Sequence, residues 1–225
     1  MCKQCGCQCA QQCEKSSGGP RLNEPAPDFE ATTTQGVLRL SDYRDSWLIL
    51  FSNPSDFTPV CTTEFIAFAR IYPELQERGV ELLGLCSDSI YAHIAWIRSM
   101  EEKFGVKISF PVISDPNKEV ADLYGMVTPG GHPTETIRGV FIIDPKGILR
   151  AMTYYPRNVG RNTREILRLI DALQTCDKHQ VATPANWEPG EKVIIPPPGT
   201  QDAAEKRQQE DYEYIDWYLC KKSVE

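Results

Sequence analysis

Several absences narrow what this sequence can do. No stretch of it approaches the roughly 18 consecutive apolar residues of a membrane-spanning helix. Its N-terminus carries polar, cysteine-dense sequence where a signal peptide would carry an apolar segment. A cytoplasmic protein with no membrane partner is therefore expected. Positive charge is also in deficit, with 24 Lys and Arg against 31 Asp and Glu for a formal net charge of −7. That balance argues against a nucleic-acid partner, because phosphate recognition needs a net basic face. No internal repeat is present. Cysteine, in contrast, is abundant. Nine of them, an odd count, in a reducing compartment do not make a static disulfide framework. Metal binding, redox catalysis and inert burial are the alternatives left.

Composition divides the 225 residues into three regions. Residues 1–20 open with "MCKQCGCQCAQQCEKSSGG", which has almost no apolar residue besides cysteine and reads as a flexible tail and linker. Residues 21–175 alternate strand and helix patterns and are the expected globular domain. Residues 176–225 contain "PANWEPG", "IIPPPGT" and the aromatic "DYEYIDWYLC". Proline density there excludes long regular elements and predicts an arm. In the middle region "WLILFS", "VELLGLC" and "VFIID" are short β-forming apolar runs suited to strands covered on both faces. Helical spacing predicts helices over Ile66 to Glu77, over Ser89 to Phe104 with Ile90, Ile94, Ile97 and Met100 on the inner face, and over Asn162 to Leu173. "DPKGILRAMTYY" reads as a turn and a returning strand. The predicted fold class is an α/β sandwich with a mixed sheet.

One cysteine stands apart by its neighbours. In "SNPSDFTPVCTTEFIAFAR" Thr58 and Pro59 fit a helix N-cap and first helical position, the threonine oxygen accepting from a free backbone N–H. Cys61 then falls in the first turn, where unpaired N–H groups and the helix dipole favour an anion. Position alone leaves two readings open, a nucleophile or a small buried hydrophobe. An arginine, Arg138, opens the strand "RGVFIID" and can lean over the same end of the sheet.

The segment "PSDFTPVCTTE" resembles the active-site signature of the peroxiredoxins, thiol peroxidases, with Pro54, Thr58 and Cys61 in register. "IRGVFIIDPKGILRAMTYYPRNVGRNTREILRLIDALQ" resembles the same family's later strand, hairpin and helix, and "CTTE" with "TPANWEPGEKVIIPPP" is similar to the one-cysteine branch and its longer relatives. The resemblance implies a thioredoxin-like fold. It implies that Cys61 attacks a peroxide and becomes a sulfenic acid, that Thr58 and Arg138 bind the peroxide oxygens, and that Pro54 shields the thiolate from water. Glu64 and Arg161 resemble partners that orient Arg138. No cofactor and no metal is implied. Where many members of the branch have histidine before the proline, this sequence has Asn53. Neither His93 nor His132 adjoins the motif in sequence, so no histidine is assigned to catalysis.

Cys220 in "YEYIDWYLC" resembles a cysteine that, in the longer relatives, attacks the sulfenate of a partner subunit. The implied partners are a peroxide, a thiol reductant and a second copy of the chain, the dimer assembling into a ring such as a decamer. Cys86 is expected in the core, and Cys176 is undecided. Cys2, Cys5, Cys7, Cys9 and Cys13 can bind zinc or copper as thiolates or form a solvated thiol tail that competes with Cys220. A disulfide reductase would need Cys-x-x-Cys where Cys61 is followed by Thr62, Thr63 and Glu64. A cysteine hydrolase would need an orienting histidine. An oligomeric holdase chaperone is the alternative from a different class.

Overall fold

The computed structural model describes residues 19–127 and 135–224. Strands β1 (Glu30–Thr33) and β2 (Gly36–Arg39) form a hairpin, followed by β3 (Trp47–Ser52), helix α1 (Pro59–Glu77), β4 (Val80–Cys86) and α2 (Ile90–Phe104). Next come β5 (Val112–Ser114), α3 (Glu119–Leu123), β6 (Arg138–Ile143), β7 (Leu149–Tyr155) and α4 (Thr163–His179). The seven strands make one mixed sheet in the order β2-β1-β5-β4-β3-β6-β7. β3, β4 and β5 run parallel, joined through α1 and α2, while β6 adds antiparallel to β3 and β7 adds antiparallel to β6.

The apolar runs end up in the middle of this sheet because both of its faces are covered. Along β3, Trp47, Ile49 and Phe51 enter a core with α1, α2 and α4, whereas Leu48 and Leu50 enter a second core with Val120, Ala121 and Tyr124 around α3. This is the two-residue period of a strand read out on two covered faces. Each fully buried leucine or phenylalanine contributes about 1.5–3 kcal/mol over leaving it exposed.

One sequence expectation needs correction. Helix α2 does not bury Ile90 and Ile94: its buried residues are His93, Trp96 and Met100, and Ile94 is 41% exposed. The stripe turns toward the bulkiest apolar residue, Trp96, whose ring packs against Phe65 of α1. The arm, expected to hold no long regular elements, is built from short ones. After α4, β8 (Val193–Ile195), α5 (Gln201–Lys206), β9 (Glu213–Asp216) and β10 (Leu219–Lys222) follow, and the strands form a three-stranded antiparallel sheet ordered β8-β10-β9. Proline excludes long elements but permits three- and four-residue strands between its positions. Trp187 is buried with Ala172 of α4, Val181 and Val193, so the arm shares a small core with the end of that helix. Arg207 fastens it further by donating to the carbonyls of Ile195 and Pro196 at 2.9 Å each.

Candidate active site

The end of β3, the start of β6 and the first turn of α1 meet at one corner of the sheet. Thr58, with extended backbone (φ −98°, ψ 145°), precedes the helix and Pro59 is its first residue, as the sequence predicts. The cap itself differs. The Thr58 hydroxyl caps no helix N–H and donates instead to the Ser55 carbonyl at 2.8 Å, closing a tight loop. Phe57 in that loop has φ +54°, left-handed backbone that a bulky residue adopts only under constraint.

Cys61 sits in that first turn with no solvent exposure. Arg138 Nη1 lies 3.2 Å from its sulfur and also donates to Glu64 Oε2. Arg138 is itself held from behind, since Nε and Nη2 both donate to the Arg157 carbonyl, at 2.9 and 2.8 Å. Glu64, 2% exposed, is held by Arg161: the backbone N–H and Nε donate to Oε1 at 2.9 and 2.8 Å, and Nη2 donates to Oε2 at 2.8 Å. Arg161 Nη1 reaches the Ser52 and Gly139 carbonyls, and the guanidinium lies 5.3 and 5.4 Å from the rings of Phe51 and Phe68. Burial pulls Arg161 below its ordinary pKa, with the Glu64 carboxylate opposing that shift.

Two guanidinium groups and one carboxylate leave one net positive charge in a buried pocket, and the atom facing it is the Cys61 sulfur. An anion there completes the charge balance. The same donors can follow negative charge onto a departing oxygen, which is what a preorganised site supplies. Cys61, Arg138, Glu64 and Arg161 thus form one chain of contacts. Pro54 is buried and Thr58 is half-buried in the loop entering α1. Asn53 is fully buried, and its side-chain amide has no hydrogen-bond partner among the described residues.

Cys220 is not part of this group. It lies in β10, the middle strand of the arm sheet, fully buried, with its thiol 3.4 Å from the Asp216 carbonyl. Next to it Ile215, Trp217 and Tyr218 are about half exposed, at 51%, 47% and 53%. Cys61, Cys86, Cys176 and Cys220 are all free thiols, and Cys86 is buried as expected. Burial and the carboxylates of Asp56 and Asp88 push the Cys86 thiol well above its ordinary pKa. Cys2, Cys5, Cys7, Cys9, Cys13 and His132 lie outside the described residues.

Sequence reasoning missed one contact of the motif. His93, set aside because it does not adjoin the motif, is brought by α2 into contact with Asp56 of the motif at 2.5 Å, and both are buried. The signal was available in the i, i+3, i+7 run of His93, Trp96 and Met100, which faces α1 once Trp96 rather than Ile94 sets the helix orientation.

Comparison with known proteins gives the family. Residues 22–152 match the model of the AhpC/TSA family, and residues 172–211 match that of the C-terminal domain of 1-Cys peroxiredoxin. A peroxiredoxin of Aquifex aeolicus is 55% identical over 216 residues, covering 91% of this chain and 97% of the relative. One of Methanosarcina mazei is 47% identical over 213 residues, covering 90% and 97%. Among solved structures, a yeast mitochondrial 1-Cys peroxiredoxin superposes with a TM-score of 0.82 at 44% identity, covering 91% of this chain and 99% of that one. Peroxiredoxin 6 of Arenicola marina superposes with a TM-score of 0.83 at 36% identity, covering 91% and 98%. A thioredoxin-like sheet with this cysteine corner, matched along nearly the whole chain by such relatives, makes the protein a member of the AhpC/TSA family: it is a peroxiredoxin, and therefore a peroxidase.

Proposed function

We propose that Cys61 is the peroxidatic nucleophile, and that the chain reduces hydrogen peroxide and organic hydroperoxides in antioxidant defence. The observation that carries this reading is the Cys61 sulfur, in the first turn of α1, lying 3.2 Å from an arginine that Glu64 and the Arg157 carbonyl hold in place. The thiolate attacks one peroxide oxygen, the O–O bond breaks, and sulfur is oxidised to sulfenic acid while the second oxygen leaves as water or an alcohol after taking up a proton. Arg138 donates to the oxygen on which charge develops. The Thr58 hydroxyl, its proton committed to Ser55, offers lone pairs to the peroxide O–H. Pro54 keeps water from the sulfur, while Glu64 and Arg161 orient Arg138. Cys61→Ser should abolish thiol-dependent peroxide reduction and leave the circular dichroism spectrum unchanged. A retained rate above a small fraction of wild type would refute the assignment.

For the second half of the cycle, Cys220 of a partner subunit attacks the Cys61 sulfenate and a thiol reductant reopens the disulfide. Residues 176–225 serve as a dimerisation arm, and the dimers assemble into a ring such as a decamer. Exposed Ile215, Trp217 and Tyr218 beside Cys220 support an arm that docks on another copy. A second reading, resolution by an external thiol, is favoured by the complete burial of Cys220 in β10. It is also favoured by the similar yeast structure, whose subject is thiol resolution via glutathione and thioredoxin systems.

A further inference from the structure

The loop between β3 and α1 is held from outside by side chains that the peroxide chemistry does not use. Asp88, just past β4, accepts from the Asp56 backbone N–H at 2.8 Å, from the Ser55 hydroxyl at 3.1 Å and from the Cys86 thiol at 3.1 Å. His93 of α2 touches the Asp56 carboxyl through Nδ1 at 2.5 Å and the Ile113 carbonyl of β5 through Nε2 at 3.1 Å. Between these anchors and Thr58 lies Phe57 with its left-handed backbone. Such a conformation costs about 1–3 kcal/mol and persists only where neighbours over-determine it.

A count of donors fixes the protonation of the histidine contact. The Ile113 carbonyl can only accept, so Nε2 carries a hydrogen. The contact between Nδ1 and Asp56 Oδ2 is then a hydrogen bond only if it holds one proton, as imidazolium and carboxylate or as imidazole and carboxylic acid. Either form is neutral overall, and the proton belongs to the pair. Remove it, and a carboxylate faces a ring lone pair inside the protein. The other Asp56 oxygen, Oδ1, is buried with no hydrogen-bond partner among the described residues, so nothing there offsets the charge. Among the described residues the other titratable groups at this point are Asp88 and Cys86, and each adds negative charge when ionised.

We propose that Asp56 and His93 form a one-proton clasp, which holds loop 55–58 in its strained conformation and so positions Thr58 and the first turn of α1 for reaction at Cys61. Both are positioning residues, and the proposal rests on the assignment of Cys61 above. Burial pushes the Asp56 carboxyl above the ordinary carboxylate range, with His93 opposing and Asp88 adding to the shift. Loss of the pair's one proton as pH rises breaks its hydrogen bond and strands a buried carboxylate beside a ring lone pair, so the stability that the clasp adds is present while the proton is held and is lost on the basic side of its release. The clasp therefore opens toward alkaline pH.

The test follows the rate of Cys61 oxidation by hydrogen peroxide as a function of pH, using rapid quench, alkylation and mass spectrometry on the full chain. Wild type should lose rate on an alkaline limb, and the ring nitrogen shifts of His93 should change over the same pH interval. Asp56→Asn replaces the titrating proton with an amide N–H that donates to Nδ1 of the neutral ring and is not lost in base, so the alkaline limb should vanish. His93→Ala removes the clasp, and the rate should fall by about tenfold to a hundredfold with no such limb, the scale of a misplaced reacting group. A merely structural role for the pair would change amplitude and not the shape of the profile. The proposal is overturned if wild type shows no alkaline limb, if Asp56→Asn reproduces the wild-type profile, or if the Asp56–His93 pair loses its proton without any change in rate. Should His93→Ala fail to fold, the Asp56→Asn profile decides. If the oxidised residue proves not to be Cys61, the assignment of Cys61 falls, whereas the clasp still stands or falls on the His93 ring shifts in Asp56→Asn against wild type.

Discussion

Replacing Glu64 with glutamine tests the buried charge network at its centre. Glu64 accepts four hydrogen bonds, one from Arg138 and three from Arg161, and the side chains of all three residues are at most 2% exposed. Glutamine is nearly isosteric, but it removes the only negative charge in the group and turns an amide N–H₂ toward guanidinium donors. Breaking a buried ion pair by altering one partner costs about 3–5 kcal/mol, because the other charge stays buried and uncompensated. For a domain of this size each kcal/mol moves the melting temperature by about 2–4 °C, so Glu64→Gln should melt roughly 6–20 °C lower than wild type. Thermal unfolding followed by circular dichroism on the reduced protein reads this directly. Arg138 also loses its fixed orientation, so oxidation of Cys61 should slow in the same variant. A double variant, Glu64→Gln with Arg161→Met, removes the stranded cation with its partner and should recover part of the lost stability. A shift below about 2 °C in the single variant, or a double variant as unstable as the sum of the two singles, would refute the claim that these charges are mutually dependent.

Arg138→Ala should slow the oxidation of Cys61 by about a hundredfold or more, the scale of losing a preorganised charge-stabilising donor. If only the later reduction step slows, its role is misassigned. Peroxide should convert wild type into a covalent dimer on non-reducing gels, and Cys220→Ser should stop that dimer while Cys61 still oxidises. Dimerisation undiminished in the variant, or a bridge mapped to Cys2, Cys5, Cys7, Cys9 or Cys13, would move the resolving role to the N-terminal tail.

Much of the fold could be read from local pattern. "WLILFS" and "VELLGLC" became β3 and β4 because short apolar runs bounded by polar residues have few alternatives to a strand covered on both faces. The start of α1 was legible because Thr58 and Pro59 mark it chemically, although the threonine hydroxyl went to Ser55 rather than to the helix. What stayed hidden depends on tertiary contact. Asp56 and His93 are 37 residues apart, and only the packing of α2 beside α1 brings them together. The arm sheet was missed for a related reason. Its strands of three and four residues carry almost no periodic signal, and pairing with one another is what defines them.

The contact between α2 and α1 gives the protein an optical probe of its own working part. Trp96 is 2% exposed, its ring lies 4.6 Å from that of Phe65, and its indole N–H donates to the Thr62 hydroxyl at 3.2 Å. Thr62 immediately follows Cys61. The Cys61 sulfur is wholly enclosed, so a second thiol can reach it only after its surroundings open, and unwinding of this turn is one such opening. Unwinding breaks the indole hydrogen bond and admits water beside the ring, so the emission of Trp96 should shift to longer wavelength while the turn is open. With Trp47, Trp187 and Trp217 replaced by phenylalanine, stopped-flow fluorescence would time the opening and closing of the sulfur's enclosure during turnover, with no label attached.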